Sequence, residues 1–502
     1  MSTPEIFSEI EVPQRPHSAL LANNFTSQFS TATRSTFQPT LSQNGGPPSS
    51  STTPIDILIV GAGVAGPFLS LLLSQSEIPF NITVLERAPD RISFGQQIDL
   101  RGAGVKILQK EFSELLKEIK EATTDEAGFN FLDQKGNVAA TFPVQKDNVD
   151  SYLTSPTSDI EILRGNLVKL LIDASQSPKY KRGGTKVQYI YEDSVDKILE
   201  PSVSPSGKVH VTLASGIQKD YDIVVGADGM RSSIRRLAFK ESQDALKSLG
   251  QYTSYFTIPY EPEDGTFASW FNAPLGRCIL LRPDNAGCTR AYLSIMASDS
   301  NRKVLENYHS LSTAEQKKML RALFEDSGWK TGRVLRGMQA SNDFYMQEVA
   351  QVKIPTWSTS NGQIVLLGDA GYCPSPISGM GTTLAVVGAY ILAGELVTSI
   401  RAQIANSQDK MPKKLDFSES ARLYEIKMRP FVEKGQAIIP GAPAIANPMT
   451  SWGIEVLLRV VGVVSWLSRS RIAKLFSWVG SFFASKEKEW DDKLDRYEFV
   501  KR

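Results

Sequence analysis

The sequence has few of the residues that build metal centres, disulfide frameworks or hydrolase triads. It contains three cysteines and three histidines among 502 residues. Because the cysteines are odd in number and form no CxxC pair, they argue against a zinc site or a disulfide scaffold and suit a reducing compartment. A histidine-based metal site or a Ser-His-Asp triad would have to use His210 or His309, and we expect neither.

The chain also lacks an excess of charge of one sign. Its 55 Lys and Arg residues against 54 Asp and Glu residues give a net charge of +1. A nucleic-acid partner is not expected, because such proteins need an excess of basic residues to neutralise phosphates. The composition is that of a globular protein, and the length leaves room for about two to four domains.

The first 53 residues lack a sustained apolar pattern. They are rich in Ser, Thr, Pro, Gln and Asn and end in NGGPPSSSTT, so we predict that residues 1–53 are disordered. No apolar run suitable for a signal peptide follows the start, and three early glutamates argue against a transit peptide. We therefore expect a cytoplasmic protein.

The C-terminal region, residues 402–502, is predicted to be helical and apolar. Glu455 and Arg459 interrupt its most hydrophobic window, so a membrane-spanning helix is not predicted there. Further basic side chains among the apolar ones suit an amphipathic helix lying on a membrane: Arg469, Arg471 and Lys474. A helix packed on the core, or across a dimer interface, is the alternative, and the sequence leaves both open.

The first motif is a dinucleotide fingerprint. The apolar strand Ile55–Val60 leads into GAGVAG at Gly61–Gly66, a helical stretch follows, and a second strand ends in Glu86. Gly61 permits the tight turn, Gly63 lets the backbone approach a pyrophosphate, and Gly66 lets helix and strand pack closely. Free N–H groups at the helix start would hold the anion.

Glu86 narrows the choice of nucleotide. A carboxylate at this position accepts hydrogen bonds from the adenosine ribose hydroxyls and disfavours a 2′-phosphate. The site should therefore hold FAD or NAD rather than NADP, and Arg87 is counted with its candidate cofactor-binding residues.

Two later motifs complete the pattern. ADGMRSSIRR at 227–236 places Asp228 after an apolar strand, and GDAGYCPSPISGMGTT at 368–383 places Asp369 after another, where it can meet a ribitol hydroxyl. A helix follows with a glycine-rich start, and its first N–H groups would stabilise the negative charge of a reduced flavin. The candidate residues of that start are Gly379, Gly381 and Thr382.

The three motifs, in this order and spacing, resemble those of the class A FAD-dependent monooxygenases, the superfamily of para-hydroxybenzoate hydroxylase and the tetracycline-inactivating monooxygenases. The stretches 95–108 and 161–171 look like those of its fungal secondary-metabolite branch. The resemblance covers about Ile55 to Arg401, and it implies further FAD contacts from Arg91, Asp99 and Arg164. Where the family often has GDAAH, this chain has GDAGYC, so no proton relay can be assigned to that histidine.

The resemblance implies a fold and a reaction. We expect an α/β, Rossmann-like FAD-binding domain interleaved with a β-sheet substrate domain, within a core over 54–401. That sheet is predicted mainly at 185–215 and 243–358. The implied reaction uses NAD(P)H and O2 to hydroxylate a lipophilic aromatic or polycyclic, polyketide-like metabolite through a flavin C4a-hydroperoxide.

Other outcomes share the same fold. Epoxidation and Baeyer–Villiger insertion use the same flavin adduct, and a flavin-dependent reductase of polyprenyl chains would suit the apolar C-terminal region. A halogenase would carry a WxWxIP stretch, which is absent, and a scaffold without turnover is disfavoured by three intact motifs.

No catalytic residue is assigned from the sequence. The strand-rich middle offers candidates for the walls of a substrate pocket, of which strand alternation should turn about half away: Tyr252, Tyr255, Phe256, Trp270, Phe271, Arg277 and Arg282. No second GxGxxG follows a strand, so the nicotinamide donor is expected to dock transiently, near Arg231 or Arg235.

Overall fold

A computed structural model provides the structure of the chain. It describes residues 53–89, 95–124, 126–143, 160–204, 206–239, 244–284, 287–407, 412, 414–469 and 496–499. The predicted disordered segment, except for residue 53, and the candidate Arg91 lie outside these residues.

The first layer is a five-stranded parallel sheet in the order β17-β11-β1-β2-β7. Four of its strands are mainly buried runs of apolar residues, as expected for a sheet covered on both faces, and the remaining edge strand, at residues 186–190, is partly exposed. The five strands are β1 (Ile55–Val60), β2 (Phe80–Leu85), β7 (Lys186–Ile190), β11 (Ile223–Gly226) and β17 (Ile364–Leu366). Three packed helices cover it: α1 (Ala65–Ser74), α4 (Arg164–Gln176) and α10 (Gly381–Asn406).

The register of this sheet brings the motif loops together. Val60 is paired with Leu85 on one side and Gly226 on the other, and Gly226 is paired with Leu366. The four strands therefore end at the same edge of the sheet. Ligands of doubly wound sheets bind at this carboxyl edge.

The second layer is a seven-stranded, largely antiparallel sheet in the order β16-β12-β15-β14-β13-β4-β5. Its strands are β4 (Gly128–Leu132), β5 (Val138–Pro143), β12 (Leu246–Pro259), β13 (Ala268–Ala273), β14 (Arg277–Pro283), β15 (Cys288–Met296) and β16 (Tyr345–Val352). One side, which we call the helix face, forms a hydrophobic cluster with α6 (Arg302–Glu306), α7 (Thr313–Phe324) and α8 (Thr331–Ala340).

The opposite side, which we call the tyrosine face, carries Tyr255, Tyr292 and Tyr345. It meets a two-stranded sheet made of β3 (Gln97–Leu100) and β6 (Ile160–Leu163). The N–H of Gln97 donates to the hydroxyl of Tyr292 (3.1 Å), and Tyr345 donates to the Gln96 side chain. The two-stranded sheet thus joins the flavin motifs to the large sheet.

The assignment of residues 185–215 to the substrate sheet is wrong. β7 extends the parallel sheet, while β8 (Val195–Leu199) and β9 (Val209–Leu213) pair with β10 (Gln218–Tyr221) in a separate three-stranded sheet. These strands follow the same alternation as the large sheet, and alternation does not identify the pairing partner. Residues 128–143, which were not assigned, supply two strands instead.

The remaining helices close the layers and extend to the C-terminal region. They are α2 (Gly102–Glu111), α3 (Ser113–Glu121), α5 (Ser233–Ala238), α9 (Asp369–Tyr372), α11 (Ser418–Gln436), α12 (Ala442–Ala446) and α13 (Ser451–Arg469). In the described part of the chain, α10 is long and apolar enough to cross a membrane, but 89% of its most apolar window is buried inside the protein. It packs against α1, α2 and α11, as a core helix does.

Candidate flavin site

Two glycines of the first motif are required by packing. Gly61 has φ +113°, and a Cβ at this position would overlap the carbonyl group of Ala227 in the second motif. A Cβ on Gly66 would overlap the carbonyl oxygen of Gly61. The turn after β1 therefore closes tightly on itself and on the loop after β11 only because both residues lack side chains.

Three other glycines face open space and charged side chains. An added Cβ on Gly63 would lie 3.4 Å from the Arg164 guanidinium. On Gly379 it would lie 3.7 Å from Asp99 Oδ2, and on Gly381 it would lie 3.9 Å from Asp369 Oδ1. The structure thus brings together candidates from four separate stretches around a solvent-accessible space.

Arg164 and Asp369 line this space from opposite motifs. Arg164 begins α4 and Asp369 begins α9, and both side chains are reached by water. The surrounding protein nevertheless raises the pKa of Asp369 by desolvation, while a hydrogen bond with Cys373 and the charge of Arg164 lower it. A carboxyl that is both exposed and surrounded in this way lies on the wall of a deep cleft.

Glu86 stands beside the first glycine loop. Its Oε2 accepts a hydrogen bond from the N–H of Ala62 (2.9 Å), and its Oε1 accepts one from Ala88 (3.0 Å). These bonds hold the half-buried carboxylate at the end of β2, where a ribose-binding acid is expected. Arg87 follows it and is exposed.

Asp228 is engaged by its own helix. Its carboxylate accepts hydrogen bonds from the hydroxyl of Ser232 (2.5 Å) and from the N–H groups of Ser233 (2.6 Å) and Ile234 (3.2 Å). It therefore orders the turn from β11 into α5 by capping free N–H groups. Direct binding of FAD by this residue stays a prediction.

Arg235 connects the second and third motifs. Its buried guanidinium donates to the carbonyl groups of Ala370 (2.6 Å) and Met230 (2.7 Å). It thus ties two loops at the sheet edge and does not face solvent, where a dinucleotide would dock. Arg231 remains partly exposed, with Glu348 at 3.4 Å.

The start of α10 completes the cleft. Gly379 adopts φ +63°, and α10 begins two residues later, so the first N–H groups, including those of Gly381 and Thr382, have no acceptor within the helix. The hydroxyl of Thr383 accepts a hydrogen bond from Arg101 N–H (3.2 Å), which fixes this helix start to the end of β3.

Tyr372, which replaces the family histidine, is a core residue. It is buried, its hydroxyl is hydrogen-bonded to that of Tyr424 (2.9 Å), and its ring lies 4.7 Å from that of Trp357. The adjacent Cys373 is also buried, and burial raises the pKa of its thiol. A protonated thiol is a poor nucleophile, so this environment does not favour a covalent flavin link.

The wall candidates divide between the two faces of the large sheet. Tyr255 and Trp270 belong to the tyrosine face, and Arg282 reaches β6 on the same side. The other four pack toward the helices: Tyr252, Phe256, Phe271 and Arg277. A small cavity of about 10 Å³ on the tyrosine face is bounded by Gln96, Tyr255, Tyr292, Arg290 and Tyr345, among others. A larger one, about 270 Å³, opens on the helix face beside Trp329.

Sequence reasoning missed one charged group at the junction of the layers. Arg282 of β14 pairs with Glu126 and with Glu161 of β6, which lies opposite Asp99 in the register. Glu161 stands three residues before the recognised Arg164, so the same stretch of sequence carried the signal. Arg282, the partner of Glu161, lies 121 residues away in the chain, so the pairing could not be predicted from the sequence.

The chemistry of the cleft fits FAD. It offers N–H groups at two helix starts for the pyrophosphate and the flavin, a carboxylate for the ribose, and another for the ribityl chain. Among the described residues, no group of three or more His, Cys, Asp and Glu side chains could hold a metal ion.

Comparison with known proteins agrees with this chemistry. Residues 54–408 match the family of FAD binding domains. Flavin-dependent monooxygenase eupH of Phoma sp is 32% identical, over 84% of this chain and 94% of that protein. FAD-dependent monooxygenase asL6 of Sarocladium schorii is 33% identical, over 83% and 94%. The crystal structure of tetracycline destructase Tet(51) superposes with a TM-score of 0.61 and 28% identity, covering 83% of this chain and 98% of that one.

Proposed function

The chain belongs to the family of FAD-binding, flavin-dependent monooxygenases, and from this membership we propose that it hydroxylates a lipophilic aromatic or polycyclic metabolite with NAD(P)H and O2. The fold class and the FAD cofactor predicted from the three motifs are confirmed by the same similarities. We further propose a polyketide-like substrate and a role in secondary metabolism, since similar proteins occur in Phoma and Sarocladium.

The observation that carries the substrate class is the composition of the tyrosine face. Beside its tyrosines, it presents a continuous group of aromatic rings: Phe129, Phe131, Phe142 and Trp270. Neighbouring rings lie 5.8–6.2 Å apart, within the range of favourable aromatic contacts. A planar aromatic substrate would bury its faces against such rings, whereas a small polar acid would leave them unused.

Bound FAD supplies electron transfer and oxygen activation. The protein's part is to hold and shield it. The N–H groups after β1 would bind the pyrophosphate, Glu86 would bind the ribose, and the start of α10 would stabilise negative charge on the reduced flavin. The contacts of Gln97 with Tyr292 and of Gln96 with Tyr345 would help to exclude water from bound FAD.

The test measures oxygen as well as cofactor. Purified holoenzyme should consume O2 with NADPH or NADH, faster in the presence of polycyclic phenols, and one atom of 18O2 should enter the product. NAD(P)H oxidation that proceeds without O2 would identify a reductase. FAD-loaded protein that no phenol or polyketide stimulates would contradict the proposal, and a knockout strain that accumulates a precursor would identify the substrate.

The helix α13 has an exposed apolar side that could contact a partner. Its inner side packs against β5 through Ser465 and buries Ile454. Its outer side exposes Trp452 (75%), Trp466 (64%) and an apolar stripe between them, of which Val456, Val460 and Val463 are part. Tryptophan prefers the interface between water and lipid, so we propose that this stripe rests on a membrane surface.

Flotation with anionic vesicles tests the membrane contact. The wild type should float, and the variant W452S/V460S/W466S should remain at the bottom. The control V203S/I217S removes exposed apolar side chains elsewhere and should behave like the wild type. If the wild type stays at the bottom but forms a dimer that the first variant lacks, the stripe is a dimer interface and the membrane proposal is wrong.

A further inference from the structure

Three charged side chains form a buried bridge between the two layers. Arg282 Nε donates to Glu126 Oε2 (2.9 Å), its Nη2 donates to Glu126 Oε1 (3.1 Å), and Nη2 also donates to Glu161. The side chains of Arg282, Glu126 and Glu161 are 12%, 1% and 4% exposed. Because Glu161 lies on β6 and Arg282 on β14, this bridge joins the flavin-side strands to the tyrosine face.

We propose that Glu161 is a positioning residue that holds a proton when FAD binds, and that its ionisation loosens the bridge and weakens FAD binding. The bridge contains two carboxyl groups and one guanidinium. With both carboxyl groups ionised it would carry an uncompensated negative charge away from water, which is costly. A proton on one carboxyl removes that charge.

The groups around Glu161 decide which carboxyl holds the proton. Glu126 forms two charge-assisted bonds to Arg282, whereas Glu161 forms one. Glu161 also faces Asp99, its partner in the register, with Arg101 and Tyr292 nearby. Burial raises the pKa of Glu161 to about 8, against the charge of Arg282, and the charges of Glu126 and Asp99 raise it further.

The connection to the cofactor runs through Asp99. Asp99 is paired with Glu161 across β3 and β6, and its carboxylate lies beside Gly379 at the entrance of α10. An ionised Glu161 repels Asp99 and adds negative charge near an anionic cofactor. FAD affinity should therefore fall as pH rises through about 8.

The protonation of Glu161 also makes the stability of the folded protein depend on pH. A glutamate titrates near 4.5 when free and near 8 in this bridge, so the folded protein binds the extra proton between these values. Stability from this group is present at low pH and is lost as pH rises from about 4.5 to about 8. Replacing Glu161 by Gln, which is neutral at every pH, should remove that loss.

FAD titrations of the apoprotein by flavin fluorescence between pH 6 and pH 10 test the proposal without turnover. The wild type should lose about tenfold in affinity above pH 8, E161Q should show no such loss, and E126Q should shift the midpoint to lower pH. The control is R277M, which removes a buried arginine from the helix face and should keep the wild-type midpoint.

Thermal unfolding of the same proteins separates folding from binding. E161Q should be folded and more stable than the wild type at pH 9. An E161Q titration with the wild-type midpoint would overturn the inference, and so would a wild-type affinity that does not depend on pH. The inference rests on the FAD binding of the proposed function and not on oxygen transfer. If the protein shows the predicted pH-dependent FAD affinity but transfers no oxygen, the proposed function is wrong and the inference about Glu161 stands.

Discussion

The two faces of the seven-stranded sheet have similar aromatic composition and different surroundings. On the helix face, Phe271 stacks on Trp329 at 5.3 Å and is fully buried beneath α7 and α8. On the tyrosine face, the neighbouring Trp270 is half-buried among other rings and donates a hydrogen bond to Asn272. Adjacent residues of one strand therefore have different roles, since one packs toward the helices and the other lies on the face that meets the flavin-side strands.

The largest expected effect separates these two faces. F271A should lower the free energy of unfolding by about 3–5 kcal/mol, because removing the ring leaves a cavity beside Trp329. W270A should cost less stability and should instead raise the fraction of NADPH that yields hydrogen peroxide, because the group of rings proposed to bind the substrate loses one member. Chemical denaturation and peroxide assays give both values. Equal stability losses in the two variants would contradict the comparison.

The glycine loop offers the next contrast. G66A should cost about 3 kcal/mol or prevent folding, because the added methyl group meets the backbone of Gly61. G63A has only the Arg164 side chain near it, so it should fold normally and bind FAD about tenfold more weakly. G332A, in α8, is the control. An unchanged FAD affinity in G63A would show that this glycine does not line the nucleotide site.

Replacing Arg235, which we call the clasp between the second and third motifs, should have a smaller effect on stability. R235M leaves the carbonyl groups of Ala370 and Met230 without their donor, which should cost about 2 kcal/mol. The exposed Arg236 is a matched control, and R236M should change stability by less than about 0.5 kcal/mol. Urea denaturation measures both, and a loss in R236M as large as in R235M would argue against the clasp.

The smallest expected effect concerns the cap of α5. The Ser232 hydroxyl accepts the N–H of Arg235 (2.9 Å) and donates to Asp228, so S232A should cost about 1 kcal/mol. FAD affinity should change little if Asp228 only orders the turn. A loss of FAD affinity in S232A beyond that expected from stability would indicate that this turn touches the cofactor.

The start of the parallel sheet could be predicted from the sequence because the features that define it lie close together in the chain. A buried run of Ile and Val, a glycine turn and an acid lie within about 30 residues, and each has one physical reason to be there. The pocket-wall residues were harder to predict, because strand alternation indicates that about half of the candidates point away from the pocket but does not identify which half. The misplaced strands of 185–215 show the same limit, since pairing partners are chosen by register and packing.

By itself, the sequence determined the family, the FAD cofactor and the α/β fold class, because these depend on short stretches with a defined backbone geometry. It also predicted the glycine and acid positions around the nucleotide. Only the tertiary structure decided which face of the large sheet meets the flavin strands, that Tyr372 is a core residue, and that Arg235 is a clasp. It also decided the bridge of Arg282 with Glu126 and Glu161, which join across 156 and 121 residues of chain. A buried charge is defined by its partners, and partners so far apart in sequence meet only once the layers have packed.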